Sequence, residues 1–565
     1  MNRRCAWLML ICGLAAADVA AQTWTSPNFR GSVAISGRNQ PTQVRFAHDG
    51  RVFVAEKPGA IWMYQNLADS APVQIADLGG VVHSYQDRGL LGLALDPRFP
   101  EQPYLYVLYS FNGGLFADSP PRWPAADCPD PIADFAGCVI SGHLSRLTLS
   151  GNQLIDEQVL IEDWYQQYPS HSIGSVRFGA DGFLYVSGGD GASFVHADWG
   201  QIGNPNWPDQ RSPFNEGGAL RAQGLEVESL YTDQVWLNGS IARIDPRSGE
   251  GAPGNPLADT PGASPNARRI IAHGLRNPFR FTFRPGTSEP WISDVGWRGW
   301  EEINVVPQIG AQAVLHNFGW PCFEGRGAMA DYQTLPLCTN LYANGNSGGR
   351  TPVTMPFYTY PRTSNKAITG IAFQAGNHWP QAYRNAVFFA DYIDNSIRFI
   401  ADADQDGIPD PVADGNATML GQGNFFAVDL VEGPGQDLFW VDINQGRIGR
   451  ISWDINPTQR NLAPSAAIAL GGGSVADGPP RTISFTAANS IDPESGTLSY
   501  AWDLDGDGDF NDASGISASQ SYSVGDATPV VLRIGVRASD AQGASDEARM
   551  IVTIARDLIF ADDFE

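Results

Sequence analysis

Three short stretches carry the side chains best suited to chemistry. His171, in Pro169-Ser-His-Ser-Ile-Gly174, stands just ahead of a strand-turn-strand pattern over residues 176–185. An imidazole titrating near neutrality suits a general base. Arg276 and Asn277, in Ala272-His-Gly-Leu-Arg-Asn-Pro278, precede a strand pattern over residues 279–283. A guanidinium beside an amide binds planar carboxylates or steadies a developing oxyanion. The third stretch, residues 291–304 closed by residues 316–321, has glycine-rich turns that expose carbonyls, with Glu301 and Glu302 beside them. Hard oxygen donors of this kind suit calcium. Each stretch taken alone also has a structural reading: a loop histidine without a task, a surface ion pair, a tight connecting loop with solvated acids.

Two acidic loops stand apart. Asp402, Asp404, Asp406 and Asp410 alternate in Asp402-Ala-Asp-Gln-Asp-Gly-Ile-Pro-Asp410, with Gly407 at the turn. This is the D-x-D-x-D-G calcium pattern without the closing glutamate of an EF-hand, and a solvated hairpin tip is the competing reading. Asp503-Leu-Asp-Gly-Asp-Gly-Asp509 is similar.

Such side chains need a rigid frame, and the chain reads as all-β. Short apolar runs recur between turn signals, at residues 51–55, 104–109, 182–187, 386–390 and 437–441. The phrase Phe, two residues, Asp-Gly, apolar strand occurs at Phe46-Ala-His-Asp-Gly50 and again at Phe178-Gly-Ala-Asp-Gly182. A hairpin unit used several times explains it. Amphipathic helical patterns are scarce from residue 22 to residue 455. A radial array of small sheets needs no covering helix layer; a pair of β-sandwiches is the alternative that periodicity does not separate. Residues 456–463 read as a linker, residues 464–555 as a second unit of Ig-like β-sandwich size, and residues 556–565 as an acidic-aromatic tail.

Residues 1–21 read as an export signal: Arg3 and Arg4, an apolar run over residues 6–17, and the small-residue site Val19-Ala-Ala21. The run is too short to span a bilayer, so the expectation is an exported protein, periplasmic or secreted, with no membrane span. Four cysteines then remain, Cys128, Cys138, Cys322 and Cys338, with three possible pairings. The two local loops, Cys128–Cys138 and Cys322–Cys338, are preferred because each would staple a Gly/Pro-rich insertion. A net charge of −25 excludes nucleic acid and anionic membrane as partners.

These stretches, together with Arg88-Gly-Leu-Leu-Gly-Leu-Ala-Leu-Asp-Pro97 and Lys366-Ala-Ile-Thr-Gly370, occur in the order and spacing of a known family. Residues 29–453 resemble the soluble glucose/sorbosone dehydrogenases, or aldose sugar dehydrogenases, which use pyrroloquinoline quinone (PQQ). The resemblance implies a six-bladed β-propeller with PQQ and Ca2+ as cofactors. It implies that His171 takes the proton of the sugar's anomeric hydroxyl while hydride passes to the quinone. Arg276 and Asn277 match the residues that hold the quinone, with Arg276 stabilising charge on the reduced form. The carbonyls of Gly296 and Trp297 match ligands of the cofactor's calcium, and Glu302 with the carbonyl of Phe318 matches a second calcium site. Lys366 matches a contact to a cofactor carboxylate, and Arg398 is a further candidate. Asp87 stands where glucose-oxidising members carry glutamine, placed to orient His171.

Residues 464–555 resemble a PKD domain through Asn489-Ser-Ile-Asp-Pro-Glu-Ser-Gly496 and the Tyr-x-Trp-Asp phrase ending at Asp503. The expected partners are a small sugar, an external electron acceptor, and polysaccharide or cell-surface contacts made by the PKD-like unit. Two readings compete with the enzyme: an extracellular propeller that binds without catalysing, and a carbohydrate-surface adhesin.

Overall fold

The computed structural model describes residues 22–113, 140–193, 197, 218–226, 235–307, 314–343, 352–363, 365–376, 378–454, 461, 463–471, 481–493, 496–523, 530–554 and 559–560. The signal segment and the Cys128–Cys138 pair lie outside the described residues. Six sheets follow one another along the chain, antiparallel except where Ile270–His273 pairs in parallel with His316–Asn317 at the outer edge of the third. Their first strands are β1 (Pro41–Phe46), β2 (Leu90–Leu95), β3 (Ile173–Phe178), β4 (Pro278–Phe283), β5 (Ile368–Phe373) and β6 (Ala427–Gly433). Each first strand touches the next in order, and β6 touches β1, so the sheets stand around one axis in a propeller-like ring.

The hairpin units read from the sequence are used within these sheets. The Asp49-Gly50 and Asp181-Gly182 turns each join a first strand to its neighbour, with both glycines at positive φ. What the local patterns did not reveal is how the ring closes. Phe29–Ile35 pairs antiparallel with Arg447–Trp453, Phe29 opposite Trp453, and completes the sixth sheet with the start of the chain. The pairing covers the edge of Arg447–Trp453 and makes Phe29–Ile35 the outer strand of that sheet.

Large aromatics fill the spaces between sheets. Trp440 is fully buried, and its ring lies over Gly449 on the neighbouring strand, where a Cβ would fall 2.0 Å from it. The missing side chain makes room for the indole. Trp440→Ala leaves a cavity and is expected to cost ~3–5 kcal/mol, read as a lowered midpoint of chemical unfolding.

The Cys322–Cys338 disulfide forms, with 5.1 Å between Cα atoms, and staples the Gly/Pro-rich segment as expected. Beyond the ring, a three-stranded and a five-stranded sheet enclose a separate core that includes Ile483, Phe485, Trp502, Ile534 and Val536. Arg450 of the sixth sheet donates to the carbonyl of Ala463, the residue just ahead of this unit, at 3.1 Å. Among the described residues no helix is long and apolar enough to cross a membrane.

Candidate active site

A cavity of about 510 Å³ opens at the starting ends of the first strands. Thr42 of β1, Leu91 of β2, Phe279 of β4, Thr369 of β5 and Val428 of β6 line it, with His171 just ahead of β3. All six sheets therefore reach it, and it lies on the axis.

His171 is buried and held in the left-handed region at φ 49°. That conformation is costly for a residue with a side chain, about 1–3 kcal/mol, and persists only where the surroundings enforce it. Here the His171 N–H donates to Asp87 Oδ2 at 3.0 Å, and its carbonyl accepts from the Gly191 N–H at 3.1 Å. Gly189 passes so close that a Cβ there would sit 2.4 Å from the His171 carbonyl oxygen. The ring's Nδ1 lies 2.7 Å from Asp190 Oδ1.

Asp190 is wholly buried and fixed in turn. It accepts from Trp320 Nε1 at 2.9 Å and from the Ala192 N–H at 2.8 Å, and its own N–H donates to the Arg276 carbonyl at 2.8 Å. Burial pushes its carboxyl up, but His171, the hydrogen bond between them and Arg276 hold it below the usual range. Burial lowers the His171 imidazole, and Arg276 lowers it further, against the opposing pull of Asp190. When the imidazole is neutral, this contact suits Nδ1–H donating to the carboxylate, which leaves Nε2 as the basic nitrogen.

The Arg276-Asn277 turn is clamped by one buried carboxylate. Asp294 accepts from the Arg276 N–H at 3.1 Å and the Asn277 N–H at 2.6 Å. The Arg276 Nη1 then reaches the carbonyls of Val295 at 2.9 Å and Gly296 at 2.7 Å. Arg362 donates to the same Gly296 carbonyl at 2.9 Å and pairs with the buried Glu301. Lys57 and Arg280 also line the cavity. Burial lowers the Lys57 amine, with Asp87 pulling the other way. Among the described lining residues, four cations face a single carboxylate, Asp87. Glu301 pairs with Arg362 and Asp429 with Arg280 from behind the wall, so it is the lining, not the whole neighbourhood, that is cationic, and that lining suits a polyanionic ligand.

Residues 38–202 and 227–408 match the family model described as Glucose / Sorbosone dehydrogenase, a span that includes His171, Arg276 and Arg362. The chain belongs to the glucose/sorbosone dehydrogenase family. It is similar to an uncharacterised protein of Synechocystis sp., 24% identical over 434 residues, covering 75% of this chain and 87% of the relative. It is 22% identical over 381 residues to the HIPL2 protein of Arabidopsis thaliana, covering 61% of this chain and 48% of that protein, so it spans about half of that relative's length. A crystal structure of an oxidoreductase (glucose dehydrogenase) from Thermus thermophilus matches with a TM-score of 0.50 at 22% identity, covering 75% of this chain and 100% of that one. At that identity the likeness speaks for the fold. Family relatives include proteins named quinoprotein glucose dehydrogenase and aldose sugar dehydrogenase, and also the Hedgehog-interacting proteins.

Within this family member, His171, Arg276, Asn277, Asp87, Gly296 and Trp297 come together at the cavity. Two expected contacts do not. Lys366 pairs with Asp394, and Arg398 donates to the same carboxylate at 3.3 Å. Asp394 lies between them in sequence and gathers both cations, so neither lines the cavity. Arg362, four residues before Lys366, is the cation that does. Lys57, Arg280 and Arg362 carried no signal in their local sequence; Asp190 had one, the Gly-Asp step following His171.

A carbonyl oxygen has two lone pairs, and those of Gly296 serve Arg276 and Arg362, so a cation there displaces at least one guanidinium. Glu302 accepts from Gly325 N–H and from Asn304 Nδ2, the latter at 3.1 Å. Burial and the charge of Asp294 push its carboxyl well above the usual range. Phe318 packs in an apolar cluster with Ile271 and Leu275, its N–H on the His273 carbonyl at 2.9 Å. On the fifth sheet's outer hairpin, Asp402, Asp404 and Asp410 bring oxygens within 4.8 Å of one another. Asp406 stands outside this group, its Oδ1 accepting from the Ile408 N–H at 2.8 Å.

Proposed function

We propose that the chain is an exported PQQ-dependent dehydrogenase that oxidises the C1 hydroxyl of aldose sugars, with His171 as the base. The reading rests on one observation: an axial cavity whose cations outnumber its acids, with a neutral imidazole oriented by a buried carboxylate at its wall. PQQ carries three carboxylates, and Lys57, Arg276 and Arg362 offer charge-assisted donors of matching sign. Arg276, Asn277 and Arg362 would hold it, with Lys57 on the opposite wall. Bound with calcium, the quinone supplies an acceptor for hydride from the sugar.

The protein's part is position and proton movement. Asp190 holds the Nδ1–H tautomer, so His171 Nε2 takes the proton from the C1 hydroxyl. Arg276 lies within the charge field of the His171–Asp190 pair and offsets negative charge that develops in the cavity. Asp87 fixes the backbone that carries the base. Turnover is expected to fall on acidification, as the imidazole becomes protonated, with a midpoint below the ordinary 6.5 because burial lowers it. A kcat/KM profile over pH checks this; an acid limb centred above 6.5 contradicts it.

In the same reading the six sheets are the blades of a propeller spanning residues 22–455, and residues 464–555 form a PKD-like sandwich that contacts polysaccharide or cell surfaces. The second reading, a binding protein without turnover, draws support from the Hedgehog-interacting relatives. The test is dye reduction by the full chain given PQQ, calcium and a panel of aldoses. Sugar-dependent reduction is the expected result. A chain that takes up neither PQQ nor electrons from any aldose is a binding protein.

A further inference from the structure

Beneath the catalytic cavity the axis is filled by charge. Asp429 of β6 is fully buried and meets three guanidiniums: Arg45 of β1 at 2.8 Å, Arg177 of β3 at 3.4 Å and Arg280 of β4 at 3.7 Å. One carboxylate against three guanidiniums leaves positive charge in surplus. The other contacts of these arginines are neutral. Arg45 reaches the Val44 carbonyl and Gln43 Oε1, both at 2.7 Å. Arg280 reaches the carbonyls of Phe279 at 2.9 Å and Thr42 at 3.2 Å. Neutral acceptors satisfy N–H groups but do not cancel charge. Arg177 Nε is buried and meets no acceptor among the described residues. Burial, with Arg45 next, pulls the Arg177 guanidinium down to about 9. Uncompensated buried charge of this kind is costly and calls for a counter-ion.

A second cavity of about 460 Å³ opens at the far ends of β1 to β4 and shares no lining residue with the catalytic cavity. Arg45 and Arg177 form part of its wall, between Phe46 and Phe178. Its one lining carboxylate among the described residues is Asp96, which accepts from the Arg98 N–H at 3.0 Å. Two guanidiniums backed by a third, in a recess walled in part by Phe46, Phe99, Phe178 and Phe283, match the fork geometry that carboxylates and phosphates share.

We propose that this far cavity is a second binding site, for a small oxyanion, with Arg45 and Arg177 as its ligands and with no part in sugar oxidation. The probe is inorganic phosphate, titrated into the full chain at constant ionic strength and followed by calorimetry and thermal unfolding. Phosphate is expected to bind and to raise the unfolding temperature by mass action. Arg177→Gln is expected to weaken this site by ~10-fold or more, about the loss of one charge-assisted pair. Arg45→Gln gives a second reading of the same site should the first variant fold poorly. Arg362→Gln alters the catalytic cavity instead and is expected to leave the far site's phosphate response in place. No phosphate response in the wild type, an undiminished response in both Arg177→Gln and Arg45→Gln, or a response lost only in Arg362→Gln overturns the proposal.

Discussion

Replacing His171 with glutamine is expected to lower turnover by ~10²–10⁴-fold, the usual contribution of a positioned general base. Glutamine keeps much of the volume and can still reach Asp190, so binding of PQQ in the cationic cavity is expected to survive. The backbone is the complication. His171 sits at φ 49°, and glutamine accepts the left-handed region less readily than asparagine does. His171→Asn is therefore the companion variant, with better backbone tolerance and the same loss of the basic nitrogen. Steady-state rates beside a PQQ titration separate the two effects. Near-normal rates in both variants remove His171 as the base.

Asp190→Asn is expected to be nearly as damaging for a different reason. The carboxylate accepts from Nδ1 at 2.7 Å and fixes which nitrogen carries the proton. An asparagine amide can donate to Nδ1 instead, which moves the proton to Nε2 and leaves no base toward the cavity. A wrong-tautomer change of this sort costs up to ~10⁴-fold in kcat. The pH profile distinguishes this from general damage. Asp190 raises the His171 pKa, so its loss shifts any residual acid limb to lower pH. KM is expected to move little, while the unfolding midpoint falls with the ~1–3 kcal/mol cost of a buried donor left without an acceptor, the Ala192 N–H or Trp320 Nε1–H. A variant with unchanged kcat, or with its acid limb moved upward, contradicts the orienting role.

Much of the frame was legible because strands and turns are local. The Asp-Gly turns and apolar runs located hairpins that the fold then used, and the Cys322–Cys338 staple is one of the two local pairings preferred among the three possible. Ring closure was not legible: Phe29–Ile35 pairs with residues some four hundred positions away, and only tertiary packing brings them together. The site divides the same way. His171 and Arg276-Asn277 stand out because each precedes a strand that must carry it to the axis. Lys366 and Arg398 were expected at the cofactor, but both pair with Asp394, a contact between nearby strands and turns that their spacing did not announce. Arg362 and Lys57 occupy loops between strands, where sequence says little about direction. Their places depend on Glu301 and Ser84, contacts that only the folded ring supplies. In the Asp402 loop the alternating acids promised four ligands, yet Asp406 instead caps its own turn at Ile408.

The most direct test is an absorbance titration of PQQ with calcium into the full chain, compared with Arg276→Gln. Saturable uptake by the wild type, weakened in the variant, is the expected result. A quinone spectrum unchanged across the titration, or equal uptake by both proteins, contradicts the assignment of the axial cationic cavity to PQQ.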